Sequence, residues 1–132
     1  MGSVNPPEEA TMLAAYVAVT VVAVIANAYA AVLSFTHHKS VVETVERLRV
    51  PLSWMVPLGF LLAAGSVGLV AGFAIPALGT AAACGLVLYF LFAAGAHIRA
   101  RDTRLLAWVN WAAFFTLALA ALVMGLAYHG PW

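Results

Sequence analysis

Four long apolar segments, separated by short connections, set the hydrophobic pattern of the chain, and no charged residue lies between Val56 and His97. A helix of about 20 apolar residues crosses the hydrocarbon core of a bilayer, and in lipid the backbone must satisfy its own hydrogen bonds. We therefore predict an all-α, integral membrane, four-helix up-down bundle that forms a single transmembrane domain over residues 1–132. The predicted membrane helices span about residues 11–35, 53–73, 77–98 and 105–128.

The connection between the first two membrane helices is the largest polar stretch. Its apolar residues recur at helical spacing with charged residues between them, which predicts an amphipathic segment lying at the interface over about residues 39–50. We expect Pro51 to end it and Ser53 to cap the next helix.

Polar residues of the first helix share one face. At 100° per residue, Tyr16, Thr20, Asn27, Ser34 and His38 fall within about 40° of one another, so this face points into the bundle. The face either joins helices through hydrogen bonds or lines a ligand cavity, and the sequence leaves both open.

Small residues follow one line of the second membrane helix at Ala64, Gly68 and Gly72. Such ridges let two helix backbones approach closely. We expect this ridge to pack against Ala81 and Gly85 of the third helix, with Ala82 and Ala83 beside them.

Composition agrees with a membrane protein: 65% of the residues are hydrophobic and 8% are charged, against roughly 25% charged residues in soluble domains. Nucleic acid is excluded as a partner by this composition. The single cysteine, Cys84, excludes a disulfide framework and dithiol chemistry. The hydrocarbon centre holds no acid or base, which disfavours ion-coupled transport.

All six lysines and arginines lie in the first and third connections: Lys39, Arg47, Arg49, Arg99, Arg101 and Arg104. The positive-inside rule makes these connections cytoplasmic, so we predict that both termini lie outside.

Three residues are the predicted catalytic groups. At 1.5 Å per residue, Asn27 and Asn110 lie about 12 Å and about 8 Å inside the cytoplasmic edge, and His97 lies near that edge. Because a buried amide needs a partner, we expect the two asparagines to face each other or a shared cavity. Alternatively, His97 caps its helix and the asparagines only hold helices together.

The predicted cavity holds a lipophilic molecule with one polar end. Its predicted substrate-binding residues are Tyr16, Thr20, Tyr89, Phe90, Leu86, Phe114, Leu117 and His38. No metal site is predicted, since the adjacent His37 and His38 point about 100° apart on a helix.

Three segments carry a family resemblance: LGFLLAAGSVGLVAGF, IPALGTAAACGLVLYF and GAHIRARD. They resemble the DoxX-like family of small bacterial four-helix membrane proteins. The resemblance implies a multi-pass protein of the bacterial cytoplasmic membrane, in a family whose members are linked to quinone-dependent sulfur oxidation and oxidative-stress complexes.

Two functions remain open. The first, which the resemblance implies, is a membrane subunit or anchor of a soluble, quinone-linked oxidoreductase. The second is a small enzyme that acts on a lipophilic molecule in the bundle, with His97 available for acid–base chemistry. No cofactor is predicted apart from a bound quinone or lipid, and a homo-oligomer is compatible with either function.

Overall fold

The computed structural model describes residues 5–130, which form helices and loops without a strand. Four of its helical segments are long and apolar enough to cross a membrane, so the predicted all-α membrane bundle is confirmed. The sequence also predicts that Trp132 lies at a membrane interface, as aromatic residues often do, but this residue lies outside the described residues. The five α-helices are α1 (Pro6–Phe35), α2 (Lys39–Arg47), α3 (Met55–Ala71), α4 (Pro76–Arg99) and α5 (Leu105–His129), with a 3-10 turn at Leu52–Trp54 before α3.

Helix α1 begins five residues before the predicted start at residue 11. The side chain of Asn5 accepts a hydrogen bond from the backbone N–H of Glu8 at 3.1 Å. Pro6 and Pro7 occupy the first helical positions, where a missing N–H is tolerated. The cap and the two prolines therefore extend the helix into the polar segment.

The predicted cap at Ser53 is wrong. Ser53 lies within the 3-10 turn, and α3 begins at Met55 without a side-chain cap. The preceding helix α2 also ends early, at Arg47 rather than at residue 50, because Arg49 adopts a left-handed conformation with φ 59°.

The membrane helices form a closed ring in which α1 and α4 each pack against α3 and α5. One end of the bundle, which we call the basic end, consists of residues 36–54 and 100–104. The opposite end, which we call the terminal end, holds the start of α1, the α3–α4 turn and the end of α5. Large apolar side chains such as Ile25, Phe60 and Phe92 are exposed along the outer surface, where a bilayer would cover them.

Helices α3 and α4 approach closely through two of the three predicted ridge residues, Gly68 and Gly72. A Cβ atom at Gly68 would lie 2.6 Å from the Cβ of Ala82, and one at Gly72 would lie 2.5 Å from the Cα of Gly79. The predicted ridge residue Ala64 is exposed instead, as are both predicted partners on α4, Ala81 and Gly85.

Gly68→Leu should therefore lower the stability of the bundle. The new side chain collides with Ala82 and forces the helices apart, and overpacking of this kind costs about 1–3 kcal/mol. The measurement is the melting temperature in detergent. Gly85→Leu is the matched control, because no atom lies within 4 Å of a Cβ built there. Equal melting temperatures for the two variants would contradict the observed packing.

Candidate functional site

The polar face of α1 points into the bundle as predicted. Tyr16, Thr20, Asn27 and Ser34 are all buried. His38 lies beyond the end of α1, is exposed, and accepts a hydrogen bond from the backbone N–H of Ser40 at 3.2 Å. It therefore caps α2 and does not reach the other residues of this face.

Asn27 is fully buried, with a single hydrogen bond. Its Nδ2 donates to the carbonyl of Ala23 on the same helix at 2.8 Å, and its Oδ1 has no partner. A buried carbonyl without a partner costs about 1–3 kcal/mol. Asn27 thus holds no neighbouring helix by a side-chain hydrogen bond, and its amide lowers the stability of the fold.

The structure does not bring Asn110 to Asn27. Asn110 is exposed on the outer surface of α5, whereas Asn27 is completely enclosed. The expectation that both asparagines face one cavity is therefore wrong. Depth along the bundle axis was the only basis for pairing them, and depth does not determine which side of a helix a residue occupies.

The predicted apolar walls belong to the packed core. Leu86 and Phe90 are buried there, with Tyr89, Phe114 and Leu117 packed around them. The ring centroids of Phe90 and Phe114 lie 5.6 Å apart, and Trp111 Nε1 donates to the Phe90 carbonyl at 2.6 Å. These side chains therefore pack against one another in the core of the bundle.

A small cavity lies instead toward the terminal end. Tyr16 and Thr20 line it, together with Thr80 of α4 and His129 of α5. Its volume is about 10 Å³, which is room for one water molecule. Two of the predicted substrate-binding residues therefore share a site, but one that is far too small for a lipophilic substrate.

At the basic end, His97 is buried and paired with a carboxylate. Its Nδ1 lies 2.9 Å from Asp102 Oδ2, and Arg104 donates to both oxygens of Asp102, at 3.1 Å from Nε and 2.9 Å from the guanidinium. The Arg104 hydrogen bond, aided by His97, holds the pKa of Asp102 well below its usual range. Trp108 completes this cluster, because its indole donates to the Asp102 carbonyl at 2.8 Å and its ring centroid lies 5.3 Å from that of His97.

We call these four residues the Asp102 cluster. Sequence reasoning considered His97 as a helix cap or a catalytic group and missed Asp102 as its partner. The available signal was the position of the aspartate, five residues after the histidine and directly beyond the helix end. In this structure the imidazole is fixed by the carboxylate, so it helps to hold the α4–α5 turn.

Three helices end at the basic end in the same way. In each case the residue after the C-cap takes a left-handed conformation: His37 at φ 51°, Arg49 at φ 59° and Arg101 at φ 55°. The backbone N–H groups that follow bond to the last turn, as Asp102 does to the His97 carbonyl at 2.9 Å, which is the Schellman arrangement. Glycine is the residue that usually occupies this position, because a Cβ there costs about 1–2 kcal/mol.

The basic end is also braced across the two connections. Arg99 donates to the carbonyls of Leu48 and Arg49, at 2.9 Å and 3.4 Å. This contact joins the end of α4 to the end of α2. The six lysines and arginines of the chain lie in or directly beside the basic end, with only three acidic residues, Glu43, Glu46 and Asp102. The side chains of Arg49 and Arg101 are exposed.

Among residues 5–130, no three His, Cys, Asp or Glu side chains lie close enough to hold a metal ion together. The arrangement therefore offers two features: a positively charged, rigid surface at the basic end, and a buried polar face on α1 with two unpartnered oxygens, those of Thr20 and Asn27.

Asn27→Leu should raise the stability of the bundle, because it removes the unpartnered buried carbonyl. We expect a gain of about 1–3 kcal/mol, reduced by any crowding from the larger side chain. The melting temperature in detergent measures it, with Asn110→Leu as the exposed control, which should change little. A lower melting temperature for Asn27→Leu would mean that the amide makes stabilising contacts.

Comparison with known proteins places the chain in a family. A model of the DoxX-like family matches residues 18–126, which cover most of the four membrane helices. No curated protein and no solved structure matches the chain. The protein is therefore a multi-pass integral membrane protein that belongs to the DoxX-like family.

Proposed function

We propose that this protein is a non-catalytic membrane subunit that binds a soluble oxidoreductase at its basic end and holds it close to the quinone pool. The observation that carries the proposal is the use of arginine at two left-handed positions, Arg49 and Arg101. Glycine would close the same turns with less strain. Positive charge retained at strained, exposed positions indicates that the charge has a role outside the fold.

The rigidity of this surface supports the same proposal. Arg99 fixes α2 to the end of α4, and the Asp102 cluster fixes the α4–α5 turn. A surface that is already ordered loses little conformational freedom when a partner binds. Its charge selects a partner with an acidic patch and makes binding sensitive to ionic strength.

The link to quinones rests on the family resemblance. A membrane subunit of this kind would place a soluble enzyme at the bilayer surface, where a lipophilic quinone can reach it. The alternative, an enzyme with a lipophilic substrate inside the bundle, loses support because Asn110 is exposed on the outer surface of α5, away from the enclosed Asn27.

Affinity purification of the intact chain from its native membrane tests the proposal. We expect mass spectrometry to identify a soluble oxidoreductase that is retained at low salt and lost as salt is raised. A lipophilic small molecule recovered in stoichiometric amount without any soluble protein would favour the enzyme instead.

The proposal also requires the basic end to face the cytoplasm. We expect a fluorescent reporter fused after Trp132 to remain dark and a phosphatase fused there to be active, since both termini would then lie outside. A fluorescent fusion at Trp132 would place the basic end outside, and a cytoplasmic partner could not reach it.

A further inference from the structure

One buried threonine hydroxyl lacks the hydrogen bond that four other threonines make. Thr11, Thr36, Thr44 and Thr80 each donate to the carbonyl four residues earlier, at 2.8–3.2 Å. Thr20 is only 2% exposed, yet its Oγ1 has no hydrogen-bond partner. Among residues 5–130 this hydroxyl makes neither this bond nor any other, so its partner inside the bundle is a group that these residues do not supply, such as water.

Thr20 lies on the wall of the small cavity near the terminal end. Leu69 of α3, Thr80 of α4 and His129 of α5 are also on this wall, so all four membrane helices meet there. The cavity volume of about 10 Å³ matches a single water molecule and excludes a larger ligand.

The hydrogen-bonding capacity of the wall identifies the species that fits. The Nδ1 of His129 lies 2.5 Å from the Gly130 carbonyl, which can only accept, so Nδ1 carries a proton, and in that tautomer Nε2 is left as an acceptor. This Nε2 lies 3.2 Å from where a Cβ at Gly125 would be, and Gly125 is itself on the cavity wall.

The two threonines supply the other hydrogen-bonding groups of the cavity wall. The hydroxyl proton of Thr80 is already donated to the Pro76 carbonyl, so its oxygen is left as an acceptor. The hydroxyl of Thr20 is free to donate. Two acceptors and one donor complement a water molecule, which has two protons to donate and a lone pair to accept.

We propose that this cavity is a specific site for one ordered water molecule, which accepts from Thr20 and donates to Thr80 and His129. The water links α1, α4 and α5 in the half of the bundle away from the basic end. It satisfies the Thr20 hydroxyl and orients the His129 ring.

Water–protein magnetisation transfer by solid-state NMR, on the full chain in lipid, tests the site. We expect a long-lived water cross-peak to Gly125 in the wild type and in Thr20→Ser, which keeps the hydroxyl. The cross-peak should be lost in Thr20→Val, which has the same shape but no donor. Thr116→Val is the matched control, because Thr116 is exposed on α5, and it should retain the cross-peak.

Two results would overturn the proposal: no long-lived cross-peak in the wild type, or an unchanged cross-peak in Thr20→Val. If Thr20→Val does not fold, Thr80→Val replaces it. The cross-peak should then weaken, because the water loses one acceptor, and an unchanged cross-peak would again overturn the site.

Discussion

Asp102→Asn should destabilise the basic end at neutral pH and remove the acid sensitivity that the carboxylate gives to the wild type. The pKa of Asp102 lies below its unfolded value, mainly because Arg104 donates hydrogen bonds to the ionised form. A carboxylate of this kind stabilises the fold above its unfolded pKa of about 4, and the stabilisation is lost as the pH falls through the lower, folded pKa. The wild type should therefore be more stable than the variant at pH 7.

Melting temperatures measured from pH 7 downward test this prediction. The difference between wild type and Asp102→Asn should be constant above about pH 5 and should shrink as the pH falls below about 4. Glu46→Gln, at an exposed position on α2, is the control and should leave the pH profile close to that of the wild type. If the melting temperature of the wild type instead rose relative to that of Asp102→Asn as the pH fell, the carboxylate would not be stabilised in its charged form.

Replacing both strained arginines by glycine, Arg49→Gly with Arg101→Gly, should stabilise the bundle. Each change removes a Cβ from a left-handed position at the end of a helix, and relief of that strain outweighs the greater flexibility of glycine in the unfolded chain. We expect a gain of about 0.5–1 kcal/mol per site, seen as a higher melting temperature.

Arg47→Gly is the matched control for charge. It also removes one positive charge from the basic end, but Arg47 is the last residue of α2 and has a helical conformation, which glycine disfavours by up to about 1 kcal/mol. Its melting temperature should fall. If all three glycine substitutions lowered the melting temperature, the left-handed arginines would not be strained.

Most of the fold could be predicted from the sequence, because long apolar segments have few solutions in a bilayer. The inward face of α1 followed from helical periodicity, since Tyr16, Thr20 and Asn27 recur on one side. The contact between α3 and α4 followed only in part: Gly68 and Gly72 were predicted and are in contact, whereas Ala64, Ala81 and Gly85 are exposed. Both helices carry small residues on more than one face, so the contact at Gly79 was not distinguishable from these positions.

The candidate site was less predictable. Asn110 has the depth of Asn27 but lies on the outer surface of α5, and only the rotation of that helix in the bundle determines this. No feature of the sequence indicated the left-handed conformations of His37, Arg49 and Arg101, because the glycine that usually marks such a position is absent. The cavity beside Thr20 arises where all four membrane helices meet, and no local sequence pattern predicts such a position.

Quantitative recovery of the soluble partner is the measurement that tests the docking role of the basic end most directly. The intact chain and two double variants are purified in parallel from the native membrane at low salt. The first double variant, Arg49→Gly with Arg101→Gly, removes the two positive charges at the left-handed positions. The second, Glu8→Gln with Glu9→Gln, changes the charge only at the terminal end, where both glutamates are exposed. Our account predicts that the first variant loses the soluble oxidoreductase while melting at a higher temperature, and that the second retains it. Full recovery of that protein with the double glycine variant would contradict the account.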